Sequence, residues 1–104
     1  MEAAQQIDVL QVGDIEAYPA AGLARAAGRP LTLSVREFGV LVALMRREGR
    51  VVSRKELYAE VWGGTLRRDD RSVDVYVHKL RVKLDAALPG RQLIHTHFGF
   101  GYRM

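Results

Sequence analysis

The sequence predicts an α+β domain in which a small antiparallel sheet precedes three helices and a terminal hairpin. Three observations predict it. Short β-prone runs separated by turn dipeptides fill residues 7–33. Two Ser-x-x-Glu capping boxes, at Ser34 and Ser53, open helical segments. A Gly- and aromatic-rich strand–turn–strand pattern closes the chain at 92–104.

Ile7 to Val12 and Ile15 to Tyr18 are β-prone and flank the turn dipeptide Gly13-Asp14. Pro19 ends the second run. Leu23 to Arg25 and Leu31 to Leu33 flank Gly28-Arg29-Pro30, another turn signal. The result is a four-stranded antiparallel sheet. Alanines at 20, 21, 24, 26 and 27 also suit a short helix, and that alternative stays open.

In the first helix Phe38, Leu41, Val42 and Met45 recur at helical spacing, and Gly49 is the expected stop after Arg46 and Arg47. In the second, Leu57 and Val61 face inward with Tyr58 and Trp62 near them. Gly63-Gly64 ends it. The third helix starts near Asp70-Arg71-Ser72. Its apolar stripe is Val73, Tyr76, Val77, Leu80 and Leu84, which fall within about 100° of arc. The opposite face presents Arg71, Val75, His78, Lys79 and Val82, with Asp74 and Arg81 on one flank. Pro89-Gly90 closes the segment. Leu93 to His97 reads as a strand, Phe98 to Gly101 as a turn and Tyr102 to Met104 as the return.

A chain of 104 residues suits one domain, placed here at 7–104, with residues 1–6 as a linker or disordered tail. The apolar runs are too short for a membrane span of about 18 residues, and no secretory signal opens the chain. With no Cys there is neither a disulfide framework nor a thiolate metal site. The net charge of +4 is uneven. Residues 1–33 hold 2 basic and 4 acidic groups, and residues 34–104 hold 14 and 8. A positive field on one part of a small domain suits a polyanion.

No catalytic constellation, metal site or cofactor motif assembles from these residues. Gly99 and Gly101 sit in a hairpin rather than a strand-to-helix phosphate loop. Asp69-Asp70 reads as a helix cap. His95 and His97 share a strand face but lack a third ligand. Three helices and a hairpin, with a basic outward face on the third helix, instead form a nucleic-acid layout. A helix fits the B-DNA major groove and reads base edges there. A protein-interaction module on the same fold is the alternative, disfavoured because interface cores deplete Lys.

The same residues carry a family resemblance. Val12-Gly13-Asp14, Leu31-Thr32-Leu33-Ser34 through Glu37-Phe38, and Gly49-Arg50-Val51-Val52-Ser53-Arg54-Lys55-Glu56-Leu57 come first. Val61-Trp62-Gly63, Arg71-Ser72-Val73-Asp74-Val75-Tyr76-Val77, Leu80-Arg81 with Lys83-Leu84, and Gly99-Phe100-Gly101-Tyr102-Arg103 follow in order. Over residues 7–104 the chain resembles the OmpR/PhoB-type winged helix-turn-helix DNA-binding domain, the output domain of bacterial response regulators in two-component systems. The resemblance implies a cytoplasmic transcription regulator that binds promoter DNA, often as head-to-tail pairs on direct repeats. It implies that the loop Gly64, Thr65, Leu66, Arg67 and Arg68 touches RNA polymerase. A lone domain is expected to be a monomer that pairs weakly on DNA.

The implied DNA-binding residues are Arg54, Lys55, Arg71, Ser72, Asp74, Val75, His78, Lys79, Arg81, Thr96, His97 and Phe98. Arg71 matches a phosphate-contacting position, and Arg54 and Lys55 are further backbone holders. Val75 suits a thymine methyl, with a lone tolerated Val as the bland reading. His78 and Lys79 stand where relatives often carry arginines. Asp74 is read chiefly as a structural partner, with His78 four along as the expected mate and cytosine N4 as the alternative. Thr96 fits a backbone contact. Phe98 replaces a minor-groove Arg, and packing within the hairpin tip or weak sugar contact is favoured over a wedge. Tyr102, Trp62 and Phe38 are assigned to the core.

Overall fold

The computed structural model describes residues 8–104. The tail expected at 1–6, and Ile7 at the start of the first expected strand, lie outside the described residues. Strands β1 (Leu10–Val12), β2 (Ile15–Tyr18), β3 (Leu23–Ala26) and β4 (Arg29–Pro30) form one antiparallel sheet in sequence order. Ile15 stands opposite Ala26, and Ala17 opposite Ala24. All four are buried in the one core cluster that the sheet shares with the helices. This alternation decides the alanine-rich stretch. A helix would not present these side chains on one face, and burial overrides a helix preference of a few tenths of a kcal/mol per residue.

The last turn of the sheet differs from expectation. Ala27 and Gly28 both have positive φ, 51° and 78°, between the paired residues Ala26 and Arg29. A two-residue turn with φ positive at both central positions matches the twist of a hairpin. The turn therefore lies one residue earlier than Gly28-Arg29-Pro30. Arg29 and Pro30 are strand, not turn, and Leu31 to Leu33 are not strand. Pro30 lacks an N–H and is tolerated because β4 is an edge.

Helix α1 spans Val35–Met45, α2 spans Arg54–Val61 and α3 spans Ser72–Ala87. Both capping boxes form. Ser34 accepts from the Glu37 N–H at 3.2 Å while the Glu37 carboxylate accepts from the Ser34 N–H at 2.8 Å. Ser53 and Glu56 repeat the exchange at 3.1 and 2.9 Å. Helix α1 stops at Met45, earlier than Gly49. Residues 46–48 tighten into turns with Arg47 N–H on Leu44 O and Glu48 N–H on Met45 O. Gly49 instead donates its N–H to Met104 O at 2.9 Å, which ties the chain end to this turn.

Buried Glu37 has a second duty. Its carboxylate accepts from the Lys83 ammonium of α3 at 2.7 Å, and Lys83 also donates to Thr32 O at 3.0 Å. Burial opposes ionisation of Glu37, but the bonds from Lys83 and Ser34 outweigh it and hold the carboxyl below its ordinary range. The bond joins α1 to α3.

The terminal hairpin pairs β5 (His95–His97) with β6 (Gly101–Arg103). It is shorter than expected at its start. Leu93 and Ile94 leave the ladder because Ile94 O faces Arg81 of α3. Gly101 belongs to the return strand, opposite His97, rather than to the turn. Val52 adds a third partner: its N–H reaches Tyr102 O at 2.7 Å and its O accepts from Tyr102 N–H at 3.0 Å. Gly101 makes that approach possible. Its φ is +145°, and a Cβ there would stand 2.1 Å from Val52 O. Gly101→Ala should therefore cost at least about 2 kcal/mol in urea unfolding. Gly99→Ala, with positive φ but open space, should cost only about 1 kcal/mol.

Candidate nucleic-acid interface

The third helix begins without a side-chain cap from its own N-cap residue, Arg71. Asp70 supplies the acceptor instead, taking the Ser72 N–H at 2.8 Å and the Ser72 hydroxyl at 2.5 Å. These bonds hold Asp70 below its ordinary range. Val73, Val77, Leu80 and Leu84 then anchor the buried side of α3, with Tyr76 half-buried beside them. The expected stripe is thus the buried one, and the opposite face is exposed.

Arg71 projects from the start of that face with 82% of its side chain exposed. His78 and Lys79 are also exposed, and Val75 is 45% and Val82 54% exposed among them. The Lys79 ammonium lies over the Tyr76 ring, 4.7 Å from its centroid. The ring limits the wandering of a long cation without neutralising it. Tyr76 meets the edge of Trp62, which stacks on Tyr58 at 5.4 Å. Trp62 is half-buried against the core, so Tyr58 of α2 and Trp62 just after that helix support the face from behind.

The flank of α3 is organised by Asp74. Its Oδ1 accepts from Arg54 Nε at 2.7 Å and from the Tyr102 hydroxyl in a short hydrogen bond. Arg71 Nη1 lies 3.7 Å from its Oδ2. The expected mate, His78, is not a partner. Asp74 binds long-range groups because helix packing brings α2 and the hairpin to it. Burial opposes ionisation of Asp74, but Tyr102 and Arg54 prevail and lower its pKa. The Asp74 bond raises that of Arg54. Burial first, then the bond to Asp74, push the Tyr102 hydroxyl above its ordinary value.

The arrangement sorts the expected DNA-contact residues. Arg54 is half-buried, bonded to Asp74 and 5.1 Å from the Tyr102 ring centroid. Its guanidinium is tied within the fold through Nε. Arg81 is likewise engaged, donating to Ile94 O at 2.9 Å and Thr96 Oγ1 at 2.6 Å. Thr96 pairs with Tyr102 across the hairpin, so its hydroxyl faces Arg81. His95, His97 and Arg103 share the other hairpin face. There Arg103 Nε donates to His97 Nε2 at 3.1 Å. Lys55 is exposed at the start of α2.

Phe98 does not pack within the hairpin tip. It is 87% exposed, and Phe100 is 75% exposed. The loop residues Gly64, Thr65, Arg67 and Arg68 are exposed, and Leu66 is half-buried. Tyr102 and Arg103 were not among the expected site residues. Hairpin register places Arg103 opposite His95, a pairing visible only once Gly101 is counted in the strand. The role of the Tyr102 hydroxyl has no local signal.

The family model for the C-terminal region of transcriptional regulatory proteins matches residues 28–104. The chain belongs to that family. The OmpR/PhoB-type resemblance of its sequence is thus a family membership. Among family members, the transcriptional activator protein IrlR of Burkholderia pseudomallei is 35% identical over 99 residues, covering 95% of this chain and 43% of IrlR. The chain thus spans less than half the length of that relative. The crystal structure of the DNA-binding domain of CpxR from E. coli has 34% identity and a TM-score of 0.85, covering 93% of this chain and 95% of that one. The RstA DNA-binding domain of Klebsiella pneumoniae, solved in complex with the RstA box, has 28% identity and a TM-score of 0.83, covering 93% and 96%. The winged-helix family fold therefore accounts for the sheet, the helices and the hairpin together.

Asp74→Asn should destabilise this winged-helix domain by about 1–3 kcal/mol at pH 7 in urea unfolding. The folded state lowers the pKa of Asp74, so its contribution is present above the unfolded value of about 3.9 and fades as pH falls through the folded one. The gap between variant and parent should narrow from pH 7 towards pH 3. A constant gap would show that the carboxylate's charge is not what matters.

Proposed function

We propose that this domain binds double-stranded DNA sequence-specifically and regulates transcription, with α3 in the major groove and the terminal hairpin as a wing. The observation that carries this reading is the outward face of α3. It gathers Arg71, His78 and Lys79 around Val75, while the neighbouring acid, Asp74, is answered from within the fold. Cations on a helix rim suit phosphates, and a partly shielded Lys beside an apolar Val suits base edges. The family membership and the DNA complex of the similar RstA domain support it.

In this reading Arg71, Lys55 and the N-terminus of α2 hold the DNA backbone, and Val75, His78 and Lys79 face the bases. Ser72 positions the helix start through Asp70. Arg54, Asp74, Arg81 and Thr96 act mainly by setting the angle between helix and wing. Following the family pattern, the exposed loop of residues 64–68 is the surface for RNA polymerase. The domain pairs head-to-tail on direct promoter repeats, is a monomer when free, and acts in the bacterial cytoplasm within a two-component regulator. The DNA-binding domain is placed at residues 7–104. No catalytic step is assigned to it. No described helix is long and apolar enough to cross a membrane.

Selection from a random duplex library, with anisotropy titrations of the winner at several salt concentrations, tests the reading. Enrichment of a short element, with steep salt dependence on both winner and scrambled duplex, is expected. No enrichment and a flat salt response would overturn it. Lys79→Ala should cost roughly 1–3 kcal/mol on the winner and relax its base preference. Arg71→Ala should weaken winner and scrambled duplex alike and reduce the salt slope by about one. The opposite pattern would exchange the two roles.

A further inference from the structure

The cations of α3 are held in different ways. Arg81 is bonded to Ile94 O and Thr96, and Arg71 leans on Asp74 at 3.7 Å. Lys79 is met by a ring. Its ammonium lies 4.7 Å from the centroid of Tyr76, one turn back along the helix. Long helical side chains lean toward the N-terminus, so a lysine three residues on meets that ring directly. The ring is itself held. Trp62 meets it with centroids 5.5 Å apart and planes at 71°. Trp62 in turn stacks on Tyr58, with planes only 5° apart, and the Arg36 guanidinium lies 5.2 Å from the Trp62 ring centroid. Arg36 also donates to Val61 O at 2.6 Å. A file of contacts thus runs from α1, past the end of α2, to Tyr76, and it ends on an exposed ammonium.

A free lysine carries a compact charge on a flexible four-carbon stem and reaches phosphates and bases alike. Contacts of that kind add affinity on any sequence and select none. An ammonium restrained by a ring covers fewer positions. It has also lost part of its rotamer freedom before docking, while its charge and N–H donors stay available. Around α3, Tyr76 stands about 60° from Lys79 on one side and Val75 about 40° on the other. The ammonium therefore stays at the Tyr76 border of the exposed face, next to Val75. Guanine offers two acceptors in the major groove, O6 and N7, whereas adenine sets an amino group beside its N7. A cation held in one place separates these two edges, and a wandering one does not.

We propose that Tyr76 is a positioning residue for sequence discrimination: its ring, fixed by Trp62, holds the Lys79 ammonium where it takes guanine O6 and N7. The inference rests on the DNA-binding reading above. Tyr76 acts through Lys79 and touches no base itself. The aromatic face carries the role, and the phenol hydroxyl does not.

The test uses the domain with the duplex that it enriches itself, and with that duplex changed at the base pair whose preference Lys79→Ala relaxes. Tyr76→Leu should lower the preference for guanine over adenine there about fivefold, the worth of one exposed cation–ring contact. Affinity for a scrambled duplex should stay the same. Tyr76→Phe, which keeps the ring, should keep the preference. In a Lys79→Ala background, Tyr76→Leu should change it no further. In the free domain, the ε-methylene protons of Lys79 should resonate upfield of those of exposed Lys55 in the parent and in Tyr76→Phe. In Tyr76→Leu they should return to the Lys55 position. A loss in Tyr76→Leu that falls equally on both duplexes, or that persists without Lys79, would make Tyr76 a packing residue and overturn the assignment. A preference that rises in Tyr76→Leu would mean that the ring draws the ammonium away from the bases, and would overturn it too. Should Tyr76→Leu fail to fold, the parent spectrum decides: a Lys79 signal at the Lys55 position overturns the assignment, and an upfield one retained in Tyr76→Phe supports it. If the parent enriches a duplex and Lys79→Ala relaxes no position, the inference fails while the DNA-binding reading stands. If the parent enriches none, that reading has failed and the inference falls with it.

Discussion

The carboxylate of Asp74 is the point at which three elements of this domain meet. It stands on α3, takes Arg54 from the first turn of α2 and takes the Tyr102 hydroxyl from the hairpin. Two guanidiniums, those of Arg54 and Arg81, lie against the Tyr102 ring at 5.1 and 5.5 Å. A charged group in this partly buried position is costly if left alone, so its partners constrain one another. The angle between α3 and the hairpin is thereby set by side chains bonded to one another. The orientation of the outer face depends on this internal arrangement, because Asp74 fixes α3 against both α2 and the hairpin.

A second tie works at the other end of α3. Lys83 reaches buried Glu37, which also caps α1. One carboxylate thus terminates one helix and fastens another. The sheet joins the helices through Ile15 and small alanines in the shared core, and ion pairs Asp8–Arg46 and Asp14–Arg91 add charge at its margin. The exposed face of α3 thus belongs to a helix held by both ties.

The outer face differs in kind from the inner flank. Its cations, Arg71, His78 and Lys79, are exposed, and its apolar groups, Val75 and Val82, are exposed with them, as are Phe98 and Phe100 at the hairpin tip. Mixed chemistry of this sort separates two tasks. In the proposed DNA-binding reading, charge brings a polyanion close at any sequence, and short apolar groups discriminate where it settles. The hairpin is the extreme case, with the Arg103 guanidinium turned onto His97 and its phenyl rings exposed.

Much of this was legible in the chain. Ser34 with Glu37, and Ser53 with Glu56, announced two helix starts because a capping box closes within four residues. The stripe Val73, Val77, Leu80 and Leu84 named the buried side of α3, and so its outer face, because helical period alone settles which side chains share a side. Other features depended on contacts distant in sequence. The alanine-rich strands needed a core to outweigh helix propensity, and Leu31 to Leu33 needed the Ala27-Gly28 turn to be placed. Asp74 looked four residues ahead to His78, yet it pairs with residues 20 and 28 positions away. Arg54, Arg81 and Thr96 read as free contacts until packing brought an acceptor to each arginine and the Arg81 donor to Thr96. Local pattern determined where the elements lie and which faces they bury. Only the tertiary structure decided which polar side chains are consumed in holding those elements together, since a hydrogen bond or ion pair is chosen by what folding brings within about 3 Å.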